Sequence, residues 1–74
     1  MARLPGEIDG KRFVRTMARL GWAAESWRGS HLTLVHLETG RKMFVAFHGR
    51  MYRASVADAL KFAGITVDEF LDAY

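Results

Sequence analysis

The chain has 74 residues and a mass of 8.4 kDa, with half of its residues hydrophobic and 26% charged. That is enough for one small core, so residues 1–74 are read as a single domain; a domain of this size buries only about 60% of the surface its unfolded chain exposes, and association with a partner is expected to stabilise it. With no cysteine in the chain, disulfides and thiolate zinc sites are excluded, and a reducing cytoplasm is the expected compartment. The longest apolar run, Met43 to Phe47, is five residues, far short of a membrane span. Net charge is +3, but residues 1–53 hold ten Lys/Arg against four Asp/Glu, whereas 54–74 hold one against four. The first three quarters of the chain are thus suited to a polyanion.

After an irregular start with Pro5 and Gly6, Asp9 caps a predicted helix from Gly10 to Leu20, with Gly21 at the C′ position. Phe13, Met17 and Leu20 line its apolar face, and Lys11, Arg12, Arg15 and Arg19 share the opposite arc. Three strands are expected next, Trp22 to Arg28, His31 to Leu37 and Lys42 to His48, joined by Gly29-Ser30 and by a loop centred on Thr39-Gly40. Ser55 with Asp58 fits a capping box for a helix ending at Gly64, its buried face marked by Val56, Ala59, Leu60 and Ala63. Thr66 with Glu69 is a second box, and Ile65 with Phe70 forms a hydrophobic staple around it. The predicted fold class is therefore α+β: αβββα with a final helical turn or two, a three-stranded antiparallel sheet with helices on one face.

Alternation along the strands puts Leu32, Leu34, His36, Met43, Val45 and Phe47 on the helix-covered face, and His31, Thr33, Val35, Leu37, Lys42, Phe44 and Ala46 on the open one. A loop centred on Thr39-Gly40 predicts that His31 lies directly opposite His48, and a two-residue turn at Gly29-Ser30 pairs Arg28 with His31. Arg28, His31 and His48 then form one cluster, provided no β-bulge intervenes. Two imidazoles and a guanidinium suit metal-free cleavage of an RNA phosphodiester. One imidazole takes the 2′-hydroxyl proton, the second protonates the departing 5′ oxygen, and the guanidinium steadies the pentavalent phosphorane. The plain alternative is a solvated strand after an ordinary turn. No metal site is expected, since His31 and His36 face opposite ways, and His36 is read as a satisfied, half-buried side chain. The basic arc of the first helix either contacts phosphates or is simply solvated. Trp22 and Trp27 are read as packing residues, Trp27 the more firmly.

These pieces, in this order, resemble the HicA toxins, small mRNA interferases with a fold like that of double-stranded RNA-binding domains. Asp9-Gly10-Lys11-Arg12-Phe13-Val14 through Leu20-Gly21-Trp22 is similar to the family's first helix and exit; Arg28-Gly29-Ser30-His31 is similar to its basic-Gly-Ser-His signature. Val45 to His48 corresponds to the strand ending in a second frequent histidine, and Ala63-Gly64-Ile65-Thr66-Val67-Asp68-Glu69-Phe70 to its closing motif. Ala46, where the family commonly has proline, Ala54-Ser55 in place of Gly-Thr, and Ala57 in place of a basic residue are departures. The resemblance implies a toxin of a type II toxin-antitoxin pair that cleaves mRNA without a cofactor and arrests growth. His31 would be catalytic, with Arg28 beside it and His48 as its partner in proton transfer. Lys11, Arg12, Arg15, Arg19, Ser30 and Lys42 would form the RNA-contacting set. The implied partner is a HicB-like antitoxin, with oligomers formed alone or with it. The rival expectation is an RNA-binding module without catalysis.

Overall fold

The structure, a computed structural model, describes residues 2–74. Its elements run β1 (Glu7–Asp9), α1 (Gly10–Arg19), β2 (Trp22–Arg28), β3 (His31–His36), β4 (Lys42–Ala46), β5 (Arg50–Tyr52), α2 (Arg53–Ala63) and α3 (Val67–Ala73). The antiparallel sheet β2-β3-β4 has the predicted order, and the helices pack against one of its faces. The Cα trace measures 32 × 26 × 17 Å, the thickness of one sheet and one helical layer.

The helix signals read from sequence work as the capping chemistry dictates, with one exception. The Asp9 carboxylate accepts from the Arg12 N–H at 2.9 Å, and α1 stops at Leu20 because Gly21 adopts φ 95°. At α3 the capping box is complete: Thr66 Oγ1 accepts from the Glu69 N–H at 3.1 Å, and Glu69 Oε1 accepts from the Thr66 N–H at 2.8 Å. That second bond holds the Glu69 carboxyl below the usual carboxylate range, because it favours the ionised form.

The exception is α2. It begins at Arg53, two residues before Ser55, and its N-cap Tyr52 makes no side-chain cap bond, so the expected Ser55–Asp58 box is not the start of the helix. The reason is an additional pair of strands. β1 and β5 form a two-stranded antiparallel sheet, Ile8 opposite Met51, both buried; β1 lies in the start read from sequence as irregular, and β5 is a strand the sequence reading did not include. The Arg53 N–H, which a cap would otherwise satisfy, donates to the Gly6 carbonyl at 3.2 Å. This ladder ties the start of α1 to the start of α2.

The core comprises Phe13 and Met17 of α1, Leu32, Leu34, Met43 and Val45 of the sheet, Val56, Ala59 and Leu60 of α2, and Phe70 of α3. Phe13 and Phe70 meet with ring centroids 6.0 Å apart, an aromatic contact worth about 0.5–1.5 kcal/mol beyond the area it buries. Trp22 is 2% exposed and belongs to this core, whereas Trp27 is 52% exposed. The expected ranking of the tryptophans is therefore reversed. Trp22 enters the sheet over the helices, while Trp27 lies near the turn, its ring against that of Phe47 with centroids 4.7 Å apart.

Candidate functional site

The face of the sheet opposite the helices is where the histidine signature lies. Alternation along β3 and β4 sends Leu32, Leu34, Met43 and Val45 inward and leaves His31, Phe44 and Ala46 exposed on the other side. Arg28 and His31 are direct Cα partners at the base of the Gly29-Ser30 turn, with Gly29 at φ 57°, a left-handed value that suits glycine. A register shift does occur in β2, between Ala24 and Ser26, but it falls on the far side of Ser26 from the turn. The Arg28–His31 pair is therefore unaffected, and both side chains are exposed.

His48 is not where the sequence reading placed it. His31 pairs with Ala46, Thr33 with Phe44 and Val35 with Lys42, two residues out of the expected register. The loop is centred earlier: the His36 N–H donates to Arg41 O and the Gly40 N–H to His36 O, each at 2.8 Å, so four residues, Leu37 to Gly40, make the turn. Gly40, at φ 75°, takes the last, left-handed position of this turn, where the sequence reading had it third in a loop from Glu38 to Arg41. A shift of two residues preserves the side-chain parity, so the faces stand as predicted while the opposed pair does not. Pairing ends where the Phe47 N–H donates to Ser30 O at 2.6 Å, and His48 lies past it, exposed.

The segment that carries His48 is nevertheless anchored. Gly49 O accepts from the Gly10 N–H at 2.9 Å, and a Cβ at Gly10 would stand 2.5 Å from the His48 carbonyl oxygen and 2.8 Å from Phe47 Cζ. The bare glycine lets this segment pass against the first turn of α1. Arg28, His31, Ser30, His48 and the start of α1 with Lys11 thus gather at one end of the sheet.

The remaining cations are distributed differently from the sequence expectation. Arg12 Nε donates to Tyr74 O at 2.7 Å and its guanidinium sits 3.9 Å from the Tyr74 ring centroid, while Arg19 Nη1 donates to Ala73 O at 2.8 Å. Both arginines are engaged with the C-terminal carbonyls of α3, where cations are favoured. Lys42 pairs with Glu25 at 3.0 Å. Among the described residues, Lys11, Arg15 and Arg28 have no such partner. Because α1 buries Phe13 and Met17 toward the sheet, its basic arc faces away from the open face, and only the Lys11 end adjoins the His31 end.

His36 is half-buried on the helix side: the Thr39 N–H donates to its Nδ1 at 3.2 Å and its ring meets Trp22 edge-on at 5.0 Å. It faces away from His31, as alternation requires, and takes no part in the cluster. Phe44, which the sequence places on the open face without a role, is 75% exposed.

Fold and site together define a two-layer α+β protein with an open antiparallel sheet that carries an exposed His–Arg pair at one end. No family model, no curated protein and no solved structure matches the chain. What the arrangement can do is therefore argued from its own side chains. An exposed imidazole can exchange a proton near neutral pH, and a guanidinium paired to it across a turn can hold an oxyanion.

Proposed function

We propose that this protein is an endoribonuclease acting on mRNA, a HicA-like toxin of a type II toxin-antitoxin pair, working in the cytoplasm and silenced when a HicB-like antitoxin covers the open sheet. The observation that carries this reading is the exposed His31 on a helix-free face with Arg28 as its direct partner across Gly29-Ser30. His31 takes the 2′-hydroxyl proton, the 2′ oxygen attacks the adjacent phosphorus, and the P–O5′ bond breaks. His48 gives a proton to the departing 5′ oxygen, leaving a 2′,3′-cyclic phosphate and a 5′-hydroxyl end. Arg28 holds the charge that accumulates on the phosphorane oxygens. Every step is a proton transfer or a displacement at phosphorus, so the route calls on no metal.

The test is cleavage of a short single-stranded RNA in excess chelator by the wild type and by His31→Ala at equal folded concentration. New ends from the wild type and none from the variant are expected. RNA bound without new ends would leave only a binding module, and cleavage equal in both proteins would remove His31 from the mechanism.

A further inference from the structure

Among the large apolar side chains left in solvent, Phe44 stands apart. Phe62, 49% exposed, has the Arg41 guanidinium 4.8 Å from its ring centroid, and Trp27, 52% exposed, has Phe47 against it. Leu37 lies in a turn and Tyr52 at the junction of β5 and α2. Phe44 occupies the middle of β4, is 75% exposed, and has no aromatic or cationic partner among the described residues. The fold does not require a phenylalanine there, since the neighbouring Met43 and Val45 supply the strand's contribution to the core. Left largely in water, this ring forgoes most of the stabilisation that its burial would bring.

Its neighbours indicate what it receives. Phe44 is directly opposite Thr33, while His31 is opposite Ala46, so Phe44 and His31 are diagonal partners on one face, roughly 7–8 Å apart. Thr33, Val35 and Ala46 around it are small or half-buried, and the Phe44 ring stays accessible among them. Between β4 and α2 lies a cleft of about 560 Å³ that Phe44 itself lines, together with Lys42, Ala46, Asp58 and Phe62.

Resting on the ribonuclease reading, we propose that Phe44 is the stacking platform for an unpaired base of the substrate strand, beside the phosphate handled by His31 and Arg28. The substrate class is therefore single-stranded RNA, because a base within a duplex cannot offer its face to a side chain. Stacking on such a platform is tolerant of base identity, because every base has a π-face. Phe44 is a positioning residue; it exchanges no proton.

The experiment uses the full chain carrying His31→Ala, expected to bind without cleaving, and a short RNA with 2-aminopurine placed in turn at each nucleotide near the scissile step. Quenching at one position is expected, lost in Phe44→Ala and restored in Phe44→Trp. Stacking of one base corresponds to about a tenfold to hundredfold loss of single-strand affinity in Phe44→Ala, with affinity for a hairpin duplex unchanged. Circular dichroism checks that the variants fold. If Phe44→Ala binds single strands as tightly as its parent while the His31-intact protein still cleaves RNA, the platform is refuted and the ribonuclease reading stands. If the His31-intact protein neither binds nor cleaves RNA, both fall. Unchanged RNA affinity with loss of self-association in sedimentation would make Phe44 a protein contact and overturn the proposal.

Discussion

Arg28 and His31 face one another across a two-residue turn, each exposed and each on the side of the sheet that no helix covers. The turn rather than the core sets their separation, so either side chain can be altered without disturbing the interior. Arg28→Ala is expected to slow RNA cleavage by about 10²-fold, the usual loss when one donor to a developing oxyanion is removed, with Arg28→Lys intermediate because a point charge replaces a two-pronged donor. Single-turnover rates at equal folded concentration measure this, and rates unchanged in Arg28→Ala would remove the guanidinium from the transition state.

His48 lies past the end of the β3–β4 ladder, and its segment is held through the backbone, where the Gly10 N–H donates to Gly49 O at 2.9 Å. A general acid positioned on the strand would contribute about 10²–10⁴-fold. The looser placement argues for the lower end, about 10²-fold, in His48→Gln, with the alkaline limb of the pH–rate profile removed. The profile of single-turnover cleavage decides the matter; an unaltered profile reduces the site to His31 and Arg28.

The cations divide by what already holds them. Lys11→Gln and Arg15→Gln, changing residues that have no partner among the described residues, should each lower the slope of log affinity against log salt by about 0.7–0.9 where a phosphate contact is lost. Lys11, at the His31 end of α1, is expected to show the full effect. Arg12→Gln and Arg19→Gln should instead leave the slope nearly unchanged and lower the melting temperature, since they release the C-terminal carbonyls of α3. Salt titrations alongside thermal unfolding separate the two pairs.

Gly10→Ala sets two effects against each other. Alanine in a helix is favoured over glycine by roughly 0.5–1 kcal/mol, but the new methyl would meet backbone at 2.5 Å and an aromatic ring at 2.8 Å. Overpacking of that kind costs about 1–3 kcal/mol, so net destabilisation is expected, together with displacement of the His48 segment. Denaturant unfolding and the imidazole NMR resonances of His48 report the two consequences separately.

Much of this fold is written locally. Asp9, Gly21, Gly64 and the Thr66–Glu69 box mark helix ends because each acts through bonds or backbone angles within a few residues. Alternation alone assigns the two faces of the sheet and pairs Arg28 with His31, because the turn that joins them is itself only two residues long. The tertiary structure decided what depends on distant partners. β1 and β5 are three residues each, too short for a periodic signal, and exist because residues some forty positions apart pair. That pairing moved the start of α2 ahead of Ser55. Moving the centre of the four-residue loop one residue earlier, from Glu38–Arg41 to Leu37–Gly40, shifted His48 away from His31, since both registers satisfy the same alternation and differ only in loop conformation. The docking of Arg12 and Arg19 on α3 likewise could not be read from a basic helical arc, which records where charge lies on a helix but not what packs beside it.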